Sequence, residues 1–328
     1  MSQPRRDDVS LLWFDEIGLE DRSRVGGKGA SLGELRRAGI AVPPGFVVTA
    51  DAFRRFASRD ASTEMPAELA DAVSLAYRQL CGDAAAADVA EPVAVRSSAT
   101  DEDGENASFA GLQDTYLWVR GETAVIEAIR RCWASLYNDE AVAYRARHAM
   151  GDDAIAMGVV VQRMIDPRAA GVMFTRNPLT GDPSVIAISS SYGLGSSVVG
   201  GEVTPDEFLM NKVTGVAVRT TISRKEIRHV PNERGSGTRE EAVPDELQTQ
   251  PTLDDDALAR LVALGRTIEK HYGCAQDIEW AIEASGAIFV LQSRPETVWS
   301  GRERRAALDA PKEKPFDHVL SFFGTRRP

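Results

Sequence analysis

No stretch constrains this chain more than Pro92 to Tyr116, PVAVRSSATDEDGENASFAGLQDTY. Its apolar opening, Pro92 to Val95, reads as a buried strand. The strand delivers one arginine, Arg96, at its C-terminal end. A loop rich in Ser, Thr, Asp, Gly and Asn follows, with two acidic clusters and Gly104 and Gly111. Tyr116 to Val119 then reads as a second strand. A guanidinium on a strand end gives planar, bidentate, permanently charged contacts. Glycines let backbone N–H groups approach an anion. The stretch therefore suits phosphate; the plain alternative is a solvated hairpin loop with a surface arginine.

The 328 residues are enough for about two domains. A net charge of −11 argues against non-specific nucleic-acid binding, which needs a basic surface. It leaves a nucleotide open, because a phosphate site needs only a few local cations. Residues 1–21 contain no apolar core of a signal peptide. No run approaches the roughly 18 apolar residues of a membrane span. Cys81, Cys132 and Cys274 have neither metal nor redox spacing and read as buried thiols in a reducing cytoplasm.

Along the chain, Trp13 to Ile17 reads as a first strand. Gly26 and Gly27 form a tight turn, with Lys28 where a helix begins and Ala30, Leu32, Leu35 and Ala38 as its apolar face. A glycine turn with lysine at a helix start is an anion site by geometry, although the spacing is not that of a P-loop. Phe46 to Thr49 reads as a strand, and Ala50 to Phe56 and Pro66 to Leu80 as surface helices. Thr123 to Met150 reads as two helices broken near Asn138. Met157 to Ile165 is an apolar strand; an ordinary core strand is its plain reading, and a wall against an adenine ring is the sharper one. Further strands fall at Gly171 to Thr175, Ser184 to Ser189 and around Phe208. Val216 to Ile222 and Lys225 to His229 read as exposed strands, and Asn232 to Glu241 as a polar, mobile segment. Asp254 to Tyr272 is an amphipathic helix with Leu258, Leu261, Val262, Leu264 and Ile268 inward.

QDIEWAIEASGAIFVLQSRP carries the second constellation. Alternating strands Asp277 to Ile282 and Ile288 to Gln292 flank the turn Glu283 to Gly286, which makes a hairpin. Period-two geometry puts Asp277 and Glu279 on one face, and Gln292 and Arg294 together. The paired faces offer carboxylate and amide oxygens beside a guanidinium. Such oxygens suit Mg²⁺, which retains waters and adds nucleotide phosphates. Arg294 suits charge on a transferring phosphoryl group. A charged, solvent-facing edge hairpin remains the plain alternative.

Together these pieces resemble a family: the N-terminal nucleotide-binding part of phosphoenolpyruvate synthase and pyruvate phosphate dikinase, shared with rifampin phosphotransferase and phenylphosphate synthase. The matching stretches are GGKGASLGEL (26–35), VPPGFVVTADAF (42–53), VRSSATDED (95–103) and SFAGLQDTY (108–116). They continue with VVVQRM (159–164), AGVMFTRNPLTGD (170–182), YGLGSSVVGGEVTPDEF (192–208) and DIEWAI with LQSRP (277–295). Eight stretches in order make the resemblance specific. It implies an α+β, ATP-grasp-like fold, with lobes at 1–163 and 164–300 around Mg·ATP. The charged tail at 301–328 ends in a short apolar patch, Val319 to Phe323, that could dock on a partner or fold back on its own body. The resemblance implies that Lys28, Arg96, Gly111, Gln113, Thr115 and Arg294 hold phosphates, with Lys28, Arg96 and Arg294 as electrostatic catalysts. Gln162, Arg163, Met164 and Ile165 would face adenine. Glu279 and Gln292 would bind Mg²⁺, with Asp277 beside them.

The resemblance also sets departures. Many relatives carry Glu after GLG, where this chain has Ser196, and Ser189 to Ser191 are unusually hydroxyl-rich. Family enzymes pass phosphate from ATP to a histidine in a Thr/Ser-His setting on a swivelling domain. His148, His229, His271 and His318 do not fit that setting. The expectation is an ATP-dependent, dikinase-type phosphotransferase subunit in the cytoplasm. It phosphorylates a histidine on a separate swivel-domain protein, which serves a small-molecule acceptor, with no nucleic-acid or membrane partner. The alternatives are a non-catalytic nucleotide-sensing module and a fragment of a larger enzyme.

Overall fold

A computed structural model describes residues 10–57, 64–82, 90–100, 103–104, 107–108, 114–139, 141–143, 156–232 and 235–299. Packing divides the chain into Met1–Pro295 and Glu296–Pro328. Of the second unit only residues 296–299 are described; there the Glu296 carboxylate accepts the N–H groups of Val298 and Trp299. Positions 301–328, read as a docking tail, lie outside the described residues.

The first sheet contains β1 (Leu11–Trp13), β2 (Gly45–Val48), β3 (Val93–Ala99), β6 (Thr115–Val119) and β7 (Met157–Arg163), in the order β1-β2-β7-β3-β6. A two-residue ribbon, β4 (Asp103–Gly104) with β5 (Ala107–Ser108), lies between β3 and β6 in sequence. β7 is central and nearly all apolar because both of its faces are covered. Alternation along it feeds two cores: Val159 and Val161 point into one, and Val160 into the other. Helices α2 (Ala50–Phe56), α3 (Ala67–Cys81) and α4 (Glu122–Ser135) supply the first core, with Phe53, Val73, Tyr77, Ile129 and Trp133. Helix α1 (Arg22–Arg37) covers the other face through Val25, Ala30, Leu32 and Leu35.

The second sheet is antiparallel throughout. Its strands are β8 (Pro167–Phe174), β9 (Val185–Tyr192), β10 (Asp206–Asn211), β11 (Ala217–Thr221), β14 (Gln276–Glu283) and β15 (Ile288–Pro295), in the order β11-β10-β9-β8-β14-β15. A ribbon of β12 (Ile227–Pro231) and β13 (Thr238–Ala242) stands apart, and the short α5 (Ser196–Val199) follows β9. Helix α6 (Asp255–Tyr272) buries Leu258, Leu261, Val262 and Ile268 with Met173, Ile186, Ile278 and Trp280 of this sheet. The Asp254 carboxylate caps α6 by accepting the Ala257 N–H, and Gly273, at φ 68°, ends it. The α1 residues share this core, so one apolar cluster joins α1 to the second sheet. The Ser31 hydroxyl donates to the Ser293 carbonyl at 2.6 Å, and His271 meets Glu34 at 2.8 Å. The result is α+β, as the sequence implied.

Several sequence expectations need correction. Residues 14–16 form a 3-10 turn after β1, because the Glu16 carboxylate folds back to accept the Trp13 N–H. β3 continues to Ala99, so Arg96 is mid-strand; Ser97 to Ala99 keep pairing with β7. Ala38 is exposed beyond the end of α1. Lys225 is fully buried on an ion pair. Cys274 is exposed, whereas Cys81 and Cys132 are buried. The polar segment after Asn232 contains β13. Residues 144–150, in the stretch read as two helices, lie outside the described residues.

Candidate functional site

Arg96 leaves the α1-facing side of β3 and reaches across to β14 and β15. Its Nη2 donates to Glu279 Oε2 at 2.9 Å and to Gln292 Oε1 at 2.7 Å, and its Nη1 donates to the Leu291 carbonyl at 3.1 Å. The guanidinium is largely buried, and among the described residues its Nε has no hydrogen-bond partner. Glu279 and Gln292 are direct register partners on the hairpin, and so are Asp277 and Arg294. A bulge after Glu279 re-aims the strand at this point. Asp277 and Arg294 form an ion pair at 2.8 Å, with Arg294 half exposed. Carboxylate and amide oxygens from two strands thus converge on one cationic nitrogen. That donor set fits a hard cation such as Mg²⁺.

Lys28 sits just past a break in α1. Gly26 has φ 74° and ψ 175°, and a Cβ there would lie 2.1 Å from the Ser98 carbonyl oxygen. The Ser98 hydroxyl clamps this corner by donating to the Val25 carbonyl and accepting the Gly29 N–H. The Lys28 charge reaches the Cys132 thiol of α4. It pulls that thiol down while burial, the larger effect, and Asp114 hold it well above the usual range. Thr115 is the register partner of Arg96 on β6. Gly111 and Gln113 lie outside the described residues.

At the end of β7 the N–H groups of Arg163 and Met164 are bound to the Pro44 and Pro92 carbonyls, each at 2.9 Å. The buried Gln162 amide reaches the Pro43 carbonyl at 3.4 Å. Ile165 packs with Ala170 and Ala281, with Phe289 and Leu291 alongside. This small apolar wall adjoins the polar group, since Leu291 also accepts from Arg96. Ala170 and Ala281 were missed from sequence. They are register partners on β8 and β14, and small residues facing each other across a ladder are the signal that could have marked them. Ser191 pairs with Ala170, and among the described residues its buried hydroxyl has no hydrogen-bond partner.

Two sheets thus meet at Arg96, which joins a carboxylate–amide pair on the second sheet beside a small apolar wall. The model of the family described as pyruvate phosphate dikinase, AMP/ATP-binding domain, matches residues 22–61 and 61–314. The chain belongs to that family. It is 38% identical to a probable phosphoenolpyruvate synthase of Staphylothermus marinus, over 95% of this chain and 44% of that protein. It is 42% identical to a rifampicin phosphotransferase of a Streptomyces species, over 88% of this chain and 36% of that protein. The chain therefore spans less than half the length of either relative. An L-amino acid ligase from Bacillus licheniformis overlaps at 12% identity and a TM-score of 0.38, covering 87% of this chain and 45% of that one, too loosely to carry weight. Among the described residues no helix is long and apolar enough to cross a membrane.

Proposed function

We propose that this chain is the Mg·ATP-binding part of a dikinase-type phosphotransferase, which transfers phosphate from ATP to a histidine on a swivel-domain partner. The partner then serves a small-molecule acceptor. The observation that carries the reading is the convergence of Glu279 and Gln292 oxygens on Arg96, between the two sheets. With nucleotide bound, Glu279 and Gln292 would hold Mg²⁺, which would neutralise charge on the phosphates. Arg96 would turn from the carboxylate to the phosphates. Arg294 and Lys28 would add positive charge at the transferring group. Ile165, Ala170, Ala281 and Leu291 would take the base on their apolar wall. The acceptor histidine is the nucleophile, so the chain needs no nucleophile of its own.

The test is calorimetric titration of Mg·ATP into the wild type and into Glu279→Ala with Arg294→Ala. Saturable, magnesium-dependent binding that the double variant loses is expected. Binding of equal affinity in the two proteins, or none to a folded wild type, would remove the hairpin from the site. With a partner in hand, Arg96→Ala should slow transfer by 10²-fold or more, on the order of the loss of one preorganised charge contact. Nucleotide binding without transfer to any histidine would favour the sensing module instead.

A further inference from the structure

Ser196 and His229 stand out in sequence for fitting no expected role, and the structure brings them together. Ser196 Oγ lies 2.8 Å from His229 Nδ1. On the other side of the ring, His229 Nε2 lies 2.7 Å from Glu202 Oε2. Glu240 is the register partner of His229 across the β12–β13 ladder. Glu202, His229 and Glu240 bring one ligand atom each to within 4.8 Å of one another.

We propose that Glu202, His229 and Glu240 form a binding site for a divalent transition-metal ion of the Zn²⁺ class, separate from the oxygen pair at Glu279 and Gln292. One imidazole with two carboxylates is a ligand set such ions take, leaving a further position for water. The Ser196 hydroxyl can accept the Nδ1 proton. With Nε2 bound to the ion, the ring proton would sit on Nδ1 and donate to Ser196, the orienting role that outer partners of metal-bound histidines play. Charge favours a cation here. Among the described residues no lysine or arginine pairs with Glu202 or Glu240, while neighbouring Arg228 and Arg239 bind Glu241. Metal bonds of about 2.0–2.1 Å in a tetrahedron separate ligand atoms by about 3.3 Å. Binding therefore needs the 2.7 Å Nε2–Oε2 contact to open by about 0.6 Å and the three ligand atoms, which lie within 4.8 Å of one another, to settle at that common spacing. The three ligands come from the turn after α5, from β12 and from β13. An ion would pin the ribbon to the glycine-rich turn, where the Leu194 N–H already donates to the His229 carbonyl at 3.0 Å.

The test is Zn²⁺ titration calorimetry on an untagged, chelator-stripped Cys274→Ser chain, with Co²⁺ absorption in the visible as a second readout of the coordination shell. The serine background removes the exposed thiol as a competing ligand. One equivalent is expected to bind. Glu202→Gln and Glu240→Gln, which keep side-chain shape, should each weaken binding at least 10-fold, and so should Ser196→Ala. Glu279→Ala should leave it unchanged. Unaltered affinity in either glutamine variant, loss of binding in Glu279→Ala alone, or no saturable binding to the starting chain would overturn the site.

Discussion

The Lys225 ammonium donates to Asp206 Oδ1 at 2.6 Å and to the Ser223 carbonyl at 2.7 Å, and both charged side chains are inaccessible to solvent. The second carboxylate oxygen accepts the Thr252 N–H at 2.8 Å. Removing one partner of a buried pair leaves an uncompensated charge, at a cost of about 3–5 kcal/mol. Lys225→Met should lower unfolding free energy in urea by that amount, and Lys225→Met with Asp206→Asn by less. Equal losses would mean that the pairing is not what the site responds to. Tyr77 offers a pH test. Its hydroxyl donates to the Glu91 carbonyl at 2.7 Å and accepts the Gly121 N–H at 3.0 Å. Burial pushes its phenol up to about 12, against the pull of the Gly121 N–H. The folded chain thus holds this proton more tightly than the unfolded one, whose phenol titrates near ~10. The stabilisation is complete below about pH 10 and is lost as pH rises through about 12. Urea unfolding between pH 9 and 11.5 should show a decline that is shallower in Tyr77→Phe. The same slope in both chains would exclude Tyr77.

At the scale of elements, the break in α1 decides where Lys28 points. The Gly26 backbone occupies a region that is essentially glycine-only, and its missing side chain admits the Ser98 carbonyl. Gly26→Ala should therefore destabilise by about 3 kcal/mol in urea, combining backbone strain with overpacking. Gly39→Ala is the control: its φ is 76°, but nothing lies within 4 Å of a Cβ there, so only the backbone cost of about 1 kcal/mol remains. Equal losses at the two positions would show that the approach of β3 to α1 does not matter. The hairpin and α6 were legible in sequence because period-two alternation and amphipathic periodicity are local signals, and the structure adds the Thr49 and Asp254 caps that start α2 and α6. Lys225 was not legible. It falls just before the half-exposed β12, and nothing local shows that Asp206, 19 residues away, turns inward to meet it.

Across the whole molecule, α1 is the shared part. It covers one face of the first sheet and joins the core of the second, which places Arg96 of β3 within reach of the β14–β15 hairpin. The segment-by-segment reading supplied the chemistry of each piece but no distance between pieces. Arg96 and Glu279 are 183 residues apart, and their contact depends on both sheets packing through that helix.

By itself the sequence determined most element types, through apolar periodicity and turns written in residues close along the chain, and the family, through ordered motifs whose resemblance carried the α+β class. Only the tertiary structure decided that one guanidinium bridges a carboxylate and an amide on another sheet, and that Ser196, Glu202 and Glu240 surround His229. Those contacts join segments remote in sequence, and they are set by packing that no local pattern encodes.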